Sequence, residues 1–361
     1  MIGHRGIPAT YGGVERHVEE LATRLVPKGF EVLVFCRSGY TPPMKDYRGV
    51  RLVRLPTINE KHLEMIVHTL LCVLYLVFVR RVDLIHIHST DPALLTPLAK
   101  LGGKVIVTSH GQAYRRQKWG RFAKAMSRWA ERTFVRWADG AISVSQTLRD
   151  YYKRTYGRTV TYIPNGVTAV EVFASDEIEK FGLSPNGYVL YVGRLVPTKG
   201  AHMAIEAFHQ TETDLKLAIA GGSSHTSNYV SRLKRHENDR VRLLGYQYGA
   251  TLQQLYRHCR LFVLPSAIEG LPITLLEAMS FGCPILFSDI PENLEAARGV
   301  GVSFRSGDVA DLKEKLRYCL DHPDELEEMG KRARERVLKD YHWDDIVQRH
   351  AEFYRSVLAQ G

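Results

Sequence analysis

The chain has no CxxC pair, no DxD triplet, no internal repeat and no low-complexity run. Its five cysteines, Cys36, Cys72, Cys259, Cys283 and Cys319, are odd in number and scattered. That argues against a disulfide framework or a metal cluster and for a reducing cytoplasm. No secretory signal is recognisable. The longest apolar run, residues 65–79, is broken by His68 and Thr69 and is shorter than the roughly 20 residues a bilayer span needs, so a buried helix is expected there. What is present is ordinary in bulk: 45% hydrophobic and 24% charged residues over 361 positions, enough for two domains with real cores. The formal charge of +10 calls for an acidic partner, and nucleic acid, anionic lipid or a nucleotide-sugar diphosphate would each satisfy it.

Residues 260–288, RLFVLPSAIEGLPITLLEAMSFGCPILFS, read as strand, loop, helix, strand. The run 261–264 has strand length, 265–270 supplies loop chemistry, and Pro272 suits a first helical position, where an N–H is not needed. Gly282 ends the helix, and a second buried strand follows, so the unit is a parallel βαβ crossover. Glu269 precedes the helix and Glu277 lies on it. Both can face a ligand at the helix N-terminus, where orphan N–H groups and the dipole favour an anion.

A bare Glu-x7-Glu is common by chance. In the setting LPS, EGLP, EAMS and G-x-P-I, however, it resembles the signature of the retaining, GT-B-fold glycosyltransferases of family 4. Three further motifs carry the same resemblance. The opening GHRGIPATYGGVE is similar to the GxRGIPxxYGG start of a bacterial, rhamnosyltransferase-like subgroup. The loop Gly193-Arg194-Leu195 through Lys199-Gly200 is similar to the family's diphosphate-gripping GRL-xx-KG segment, and IPNGV at 163–167 to its hinge-proximal motif. The likeness covers essentially the whole chain and is more specific in the C-terminal half.

Read in order, Gly12 and Gly13 permit close backbone approach to a ligand before a helix in which Val14, Val18, Leu21 and Leu25 recur. Relatives carry a full first strand before this loop, whereas here only Met1 and Ile2 stand there. A missing central strand leaves backbone groups unpaired. The natural product is therefore expected to begin several residues upstream, or the N-terminal domain to be destabilised. DLIHIH at 83–88 is a strand with His86 and His88 on one face; lacking a nearby Cys, Asp or Glu set, they are read as packed strand histidines and no metal site is expected. KVIVTSH at 104–110 ends in His110, beyond a strand C-terminus where open α/β sheets bind ligands.

Residues 115–136 are strongly basic, with Glu131 the single acid. Arg115, Arg116, Lys118, Arg121, Lys124 and Arg128 form a candidate membrane or acceptor patch. Phe122, Met126, Trp129 and Thr133 fall on one helical stripe, Arg121, Lys124, Arg128 and Arg132 on another. A solvated basic face over a core-packing aromatic stripe is the plainer alternative. In the second half, Arg194 and Lys199 on one loop supply two cations for one diphosphate. Tyr246, at a strand end, could stack on a base or simply pack.

These readings give an α/β protein of the GT-B class, two Rossmann-like doubly wound domains facing across a cleft. The divisions are 1–167, a linker at 168–187, a nucleotide-sugar domain at 188–340, and 341–361 as a helix which, by the resemblance, crosses back to the N-terminal domain. The resemblance further implies a retaining transfer from a nucleoside-diphosphate sugar to a cell-surface polysaccharide or lipid-linked oligosaccharide. In it Arg194, Lys199, Gly12 and Gly13 hold the diphosphate, Glu277 and Tyr246 the nucleoside, Gly270, Leu271, Pro272 and Ile273 the sugar, and His110 and Glu269 act at the reacting centre. No metal or resident cofactor is implied; UDP-sugar is favoured, with dTDP- or GDP-sugar possible. A cytoplasmic enzyme peripheral to the inner membrane face, with no nucleic-acid partner, fits the charge. A sugar epimerase, a phosphorylase or a non-catalytic basic binding module are the competing readings.

Overall fold

The computed structural model of the chain describes residues 1–10, 12–58, 64–112, 121–172, 174–222 and 227–360. The chain divides into two compact units, one formed by Met1–Asn165 with Trp343–Gly361 and the other by Gly166–His342.

Among the described residues the first unit holds seven strands: β1 (Leu33–Arg37), β2 (Asp46–Tyr47), β3 (Val50–Leu55), β4 (Leu84–His88), β5 (Lys104–Ser109), β6 (Gly140–Ser143) and β7 (Thr161–Tyr162). They form a sheet of order β1-β3-β2 and another of order β4-β5-β6-β7. Among the described residues of this unit only the β2–β3 pair is antiparallel. Between β1 and β4 runs the start of the chain. The Met1 amine donates to Leu33 O at 2.6 Å, Phe35 N to Met1 O at 3.1 Å, Ile2 N to His86 O at 2.9 Å and His88 N to Ile2 O at 2.9 Å. Two residues thus do the pairing of a central strand, satisfying some of the groups that would otherwise face each other unpaired. Burial of the terminal ammonium pushes its pKa down to about 5.

Helix α1 (Gly13–Leu25) buries Val18, Leu21, Ala22 and Leu25 against β1 and against Ile346, Val347, Ala351, Tyr354 and Val357 of the last helix. Each fully buried aliphatic side chain contributes about 1.5–3 kcal/mol. The apolar run at 65–79 is helix α2 (Glu64–Phe78), which buries Cys72, Val73 and Leu76 but leaves Phe78 and Val79 exposed. Among the described residues no helix is long and apolar enough to cross a membrane.

The basic stretch forms helix α3 (Arg121–Trp137), whose inward face differs from the stripe expected. Ser127, Ala130, Glu131 and Phe134 are buried, while Trp129 is 61% exposed, beside Arg128 and Arg132. Glu131, the lone acid, points inward and accepts hydrogen bonds from Tyr151, Tyr152 and Tyr156 at 2.8, 3.0 and 2.7 Å. The buried carboxylate, kept soluble by three phenols, fixes which face turns to the core, so the indole is turned outward. Arg115, Arg116 and Lys118 lie outside the described residues.

The second unit is one parallel sheet of order β10-β9-β8-β11-β12-β13, built from β8 (Tyr188–Val192), β9 (Lys216–Ala220), β10 (Val241–Gly245), β11 (Leu261–Leu264), β12 (Ile285–Ser288) and β13 (Val302–Phe304). Every residue of β8, β11 and β12 is buried, as expected for strands covered on both faces. The chain winds outward from β8 through β9 to β10, then returns to β11 and winds the other way. The order reverses between β8 and β11, and the crevice beyond their C-terminal ends is where ligands bind in open α/β sheets.

Candidate active site

In the second unit the loops leaving β8 and β11 meet at this switch point. After β8 a short helical turn, Pro197–Lys199, ends at Gly200, whose φ of 73° and close approach to Pro265 O leave no room for a side chain. Ala267 N donates to Thr198 O at 2.9 Å, tying the two loops together. Lys199 Nζ then forms an ion pair with Glu269 Oε1, two side chains only 19% and 7% exposed. The family resemblance assigns one to the diphosphate and the other to the reacting centre; the structure pairs them directly. Arg194, on the same loop, is exposed and pairs with no carboxylate of the described residues.

Helix α4 (Ile273–Ser280) begins one residue later than expected, with Pro272 as its N-cap and no side chain capping it. Its first N–H groups are therefore open to an anion. Glu277 lies on this helix and accepts from Tyr256 Oη at 3.0 Å. Gly270, Leu271 and Pro272 are buried in the approach to it and Ile273 is half-buried. Tyr246, beyond β10, is half-exposed and stacks on Tyr248 with ring centroids 6.1 Å apart. The switch point thus brings together Lys199, Glu269 and the start of α4, with Arg194 on the same loop and Tyr246 on the β10 side of the sheet.

In the first unit, Gly12 (φ 102°) caps α1 without a side chain. The loop before it is clasped by buried acids of α1. Arg5 N donates to Glu15 Oε1 at 3.3 Å, Ala9 N to Glu19 Oε2 at 2.7 Å, and Tyr47 Oη to Glu19 Oε1 at 2.8 Å. Gly13 opens the helix. These acids were not singled out from the sequence, although Glu15, in the first helical turn after a glycine loop, and Glu19, one turn further on, carry the signal that marks them.

His110 follows β5 and is partly exposed. Burial, with His350 nearby, pushes its pKa down to about 3. It is therefore a neutral imidazole at neutral pH and no proton donor. His110 Nε2 lies 3.3 Å from His88 Nδ1, and the His17 ring meets it edge-on at 4.8 Å between centroids. His86 is the packed histidine expected, bonded to Tyr354 Oη and Thr108 Oγ1, both at 2.6 Å. His17 escaped notice. It falls three residues after Val14 and four before Leu21, and that helical spacing is what buries it.

Two family models match the chain. "Glycosyltransferase Family 4" matches residues 11–170 and "Glycosyl transferases group 1" residues 175–336, one in each half. The chain carries the paired domains of a GT-B glycosyltransferase. Across nearly its whole length this glycosyltransferase is 28% identical to a glycogen synthase of Mycobacterium tuberculosis, covering 98% of this chain and 93% of that one. It is 27% identical to the UDP-Gal:alpha-D-GlcNAc-diphosphoundecaprenol alpha-1,3-galactosyltransferase of Escherichia coli, over 81% and 80% of the two chains. The sucrose-phosphate synthase of Thermosynechococcus elongatus shares the fold, with a TM-score of 0.85, 21% identity and coverage of 100% and 96%.

Proposed function

We propose that this glycosyltransferase transfers a sugar, with retention of anomeric configuration, from a nucleoside-diphosphate sugar to a cell-surface polysaccharide or lipid-linked oligosaccharide. The GHRGIPATYGG opening favours the rhamnosyltransferase-like bacterial subgroup. The observation that carries the reading is the Lys199–Glu269 pair at the β8/β11 switch point, with Arg194 and the uncapped start of α4 at the same loops.

Breaking the glycosyl–phosphate bond leaves negative charge on the departing diphosphate and positive charge on the sugar. Arg194 binds the former bidentately and Lys199 as a point charge, while the N–H groups of α4 and of the Gly12–Gly13 loop add fixed dipoles. Glu269, held by Lys199, orients sugar hydroxyls beside residues 270–273. Glu277 takes the ribose and Tyr246 the base. His110, being neutral, supports the oxocarbenium-like sugar through its ring nitrogen or carbonyl without transferring a proton. The acceptor attacks from the face the diphosphate leaves, and its proton passes to the leaving phosphate, so no covalent enzyme intermediate is required. No resident cofactor enters this scheme.

UDP is the favoured base, with dTDP and GDP as alternatives; the Escherichia coli relative's name gives a UDP-sugar donor and a polyprenol-linked acceptor. A place at the inner membrane face is supported by α3, where Arg128, Arg132, Arg136, Trp129 and Trp137 are all exposed. Phe78 and Val79 at the end of α2 are exposed too, and both helices pack on the turn Pro92–Leu95. A thermal-shift panel of UDP, GDP, dTDP and ADP with their common sugars tests the reading. One nucleotide should raise the melting temperature by binding the native state alone; silence from all of them sinks it.

A further inference from the structure

We propose that His17, His88 and His110 form a binding site for a borderline-soft divalent ion, Zn²⁺ or a metal of similar chemistry. One ligand nitrogen from each of the three rings lies within 4.8 Å of the other two, and among the described residues no other such group of His, Cys, Asp or Glu occurs. Two nitrogens bound to zinc at tetrahedral angles stand roughly 3.3 Å apart. His88 Nδ1 and His110 Nε2 are already 3.3 Å apart. The His17 nitrogen lies within 4.8 Å of both.

Three different elements supply the trio: α1, the end of β4 and the residue after β5. His17 and His88 have no exposed surface, and neither nitrogen of His17 has a hydrogen-bond partner of ordinary geometry. The Asn165 side chain interacts with the His17 ring and is the neighbour an ion would compete with. Buried polar atoms are seldom left this way, and a missing ion is one reason for it. Three neutral imidazoles bring no negative charge. A fourth, anionic or water ligand is needed, and the partly exposed side of His110 is where it enters. His86 is excluded from the set because both of its nitrogens are engaged.

An ion here engages His110. If His110 contacts the sugar as proposed above, occupancy inhibits transfer; the site itself does not depend on that reading.

The test uses the full chain stripped with a chelator and titrated with ZnCl₂ by calorimetry, and with CoCl₂ by visible absorption. One equivalent per chain and a tetrahedral Co²⁺ spectrum are expected. His17→Gln and His110→Asn should each weaken binding about tenfold or more, while His209→Gln, at the exposed His209–His236 pair, leaves it unchanged. Far-UV circular dichroism checks folding, and His110→Asn, at the partly exposed position, carries the test if His17→Gln does not fold. No saturable equivalent in the wild type, or equal affinity in His110→Asn, overturns the proposal. Nucleotide shifts measured on the chelated protein report on the glycosyltransfer reading separately, so either idea can fail alone.

Discussion

Glu269 is held by Lys199 in a site that is nearly dry, and that decides what either side chain can do. A carboxylate so buried is costly once its cation is gone, whereas removing both charges together restores balance. Lys199→Met should therefore destabilise the protein by about 2 kcal/mol, and the double variant with Glu269→Gln should recover most of that without recovering transfer. Urea titration beside a donor-turnover assay separates the two effects; full additivity of the stability losses would show that the pair is not coupled. Arg194 is the opposite case, exposed and bound to no carboxylate among the described residues. Arg194→Ala should leave the melting temperature unchanged and weaken nucleoside diphosphate binding about tenfold, the loss of one charge-assisted contact. Near-normal affinity in that variant would remove Arg194 from the site.

At the scale of elements, α3 shows how far periodicity carries and where it stops. Its charges were legible, but its orientation was set by Glu131, whose three tyrosine partners come from the helix Gln146–Tyr156. With that face turned inward, Trp129 and Trp137 join the arginines outside. Reversing Arg128, Arg132 and Arg136 to Glu should abolish sedimentation with phosphatidylserine vesicles, each basic residue being worth about 1 kcal/mol, or roughly fivefold in partition. Trp129→Ala should weaken binding without changing its salt dependence. Unaltered vesicle binding in the triple reversal would assign the face to solvent. The helix α4 is the contrasting case. Its strand, loop and exit turn were readable because local chemistry, a proline and a glycine at the two ends, was enough to delimit them.

For the molecule as a whole, the concentration of buried histidines in the first unit gives a pH signature. Desolvation lowers His4, His17, His86 and His88 well below 6.5, and His110, His350 and His68 to about 3, 4 and 4. The unfolded chain takes up protons at these rings near pH 6.5 while the folded chain does not. Stability is thus fully present above that pH and falls as the pH drops toward the folded values. Each ring adds up to about 1.4 kcal/mol per pH unit. Urea midpoints measured between pH 7.5 and 5 should fall steeply, and the first unit, which holds all four tryptophans of the chain, should respond first by their fluorescence. A flat profile would mean the rings are hydrated in solution.

The sequence by itself determined the class of fold and named the residues proposed for the second unit's site. Those signals are local: a strand, a glycine or proline turn, and a charged residue at a fixed step from each. Arg194, Lys199, Glu269 and Glu277 could be named before any coordinate was known. Tertiary structure alone decided which of them touch, because Lys199 and Glu269 are 70 positions apart and meet only where the strand order reverses. It also decided what the histidines are. His88 reads as a packed strand residue until β5 brings His110 beside it and α1 brings His17, and no spacing along the chain encodes that convergence. The same holds for the start of the chain, where Met1 and Ile2 do the pairing of a central strand only because β1 and β4 lie on either side. Local propensity selects elements; contacts between distant residues are selected by the burial that the assembled sheet imposes.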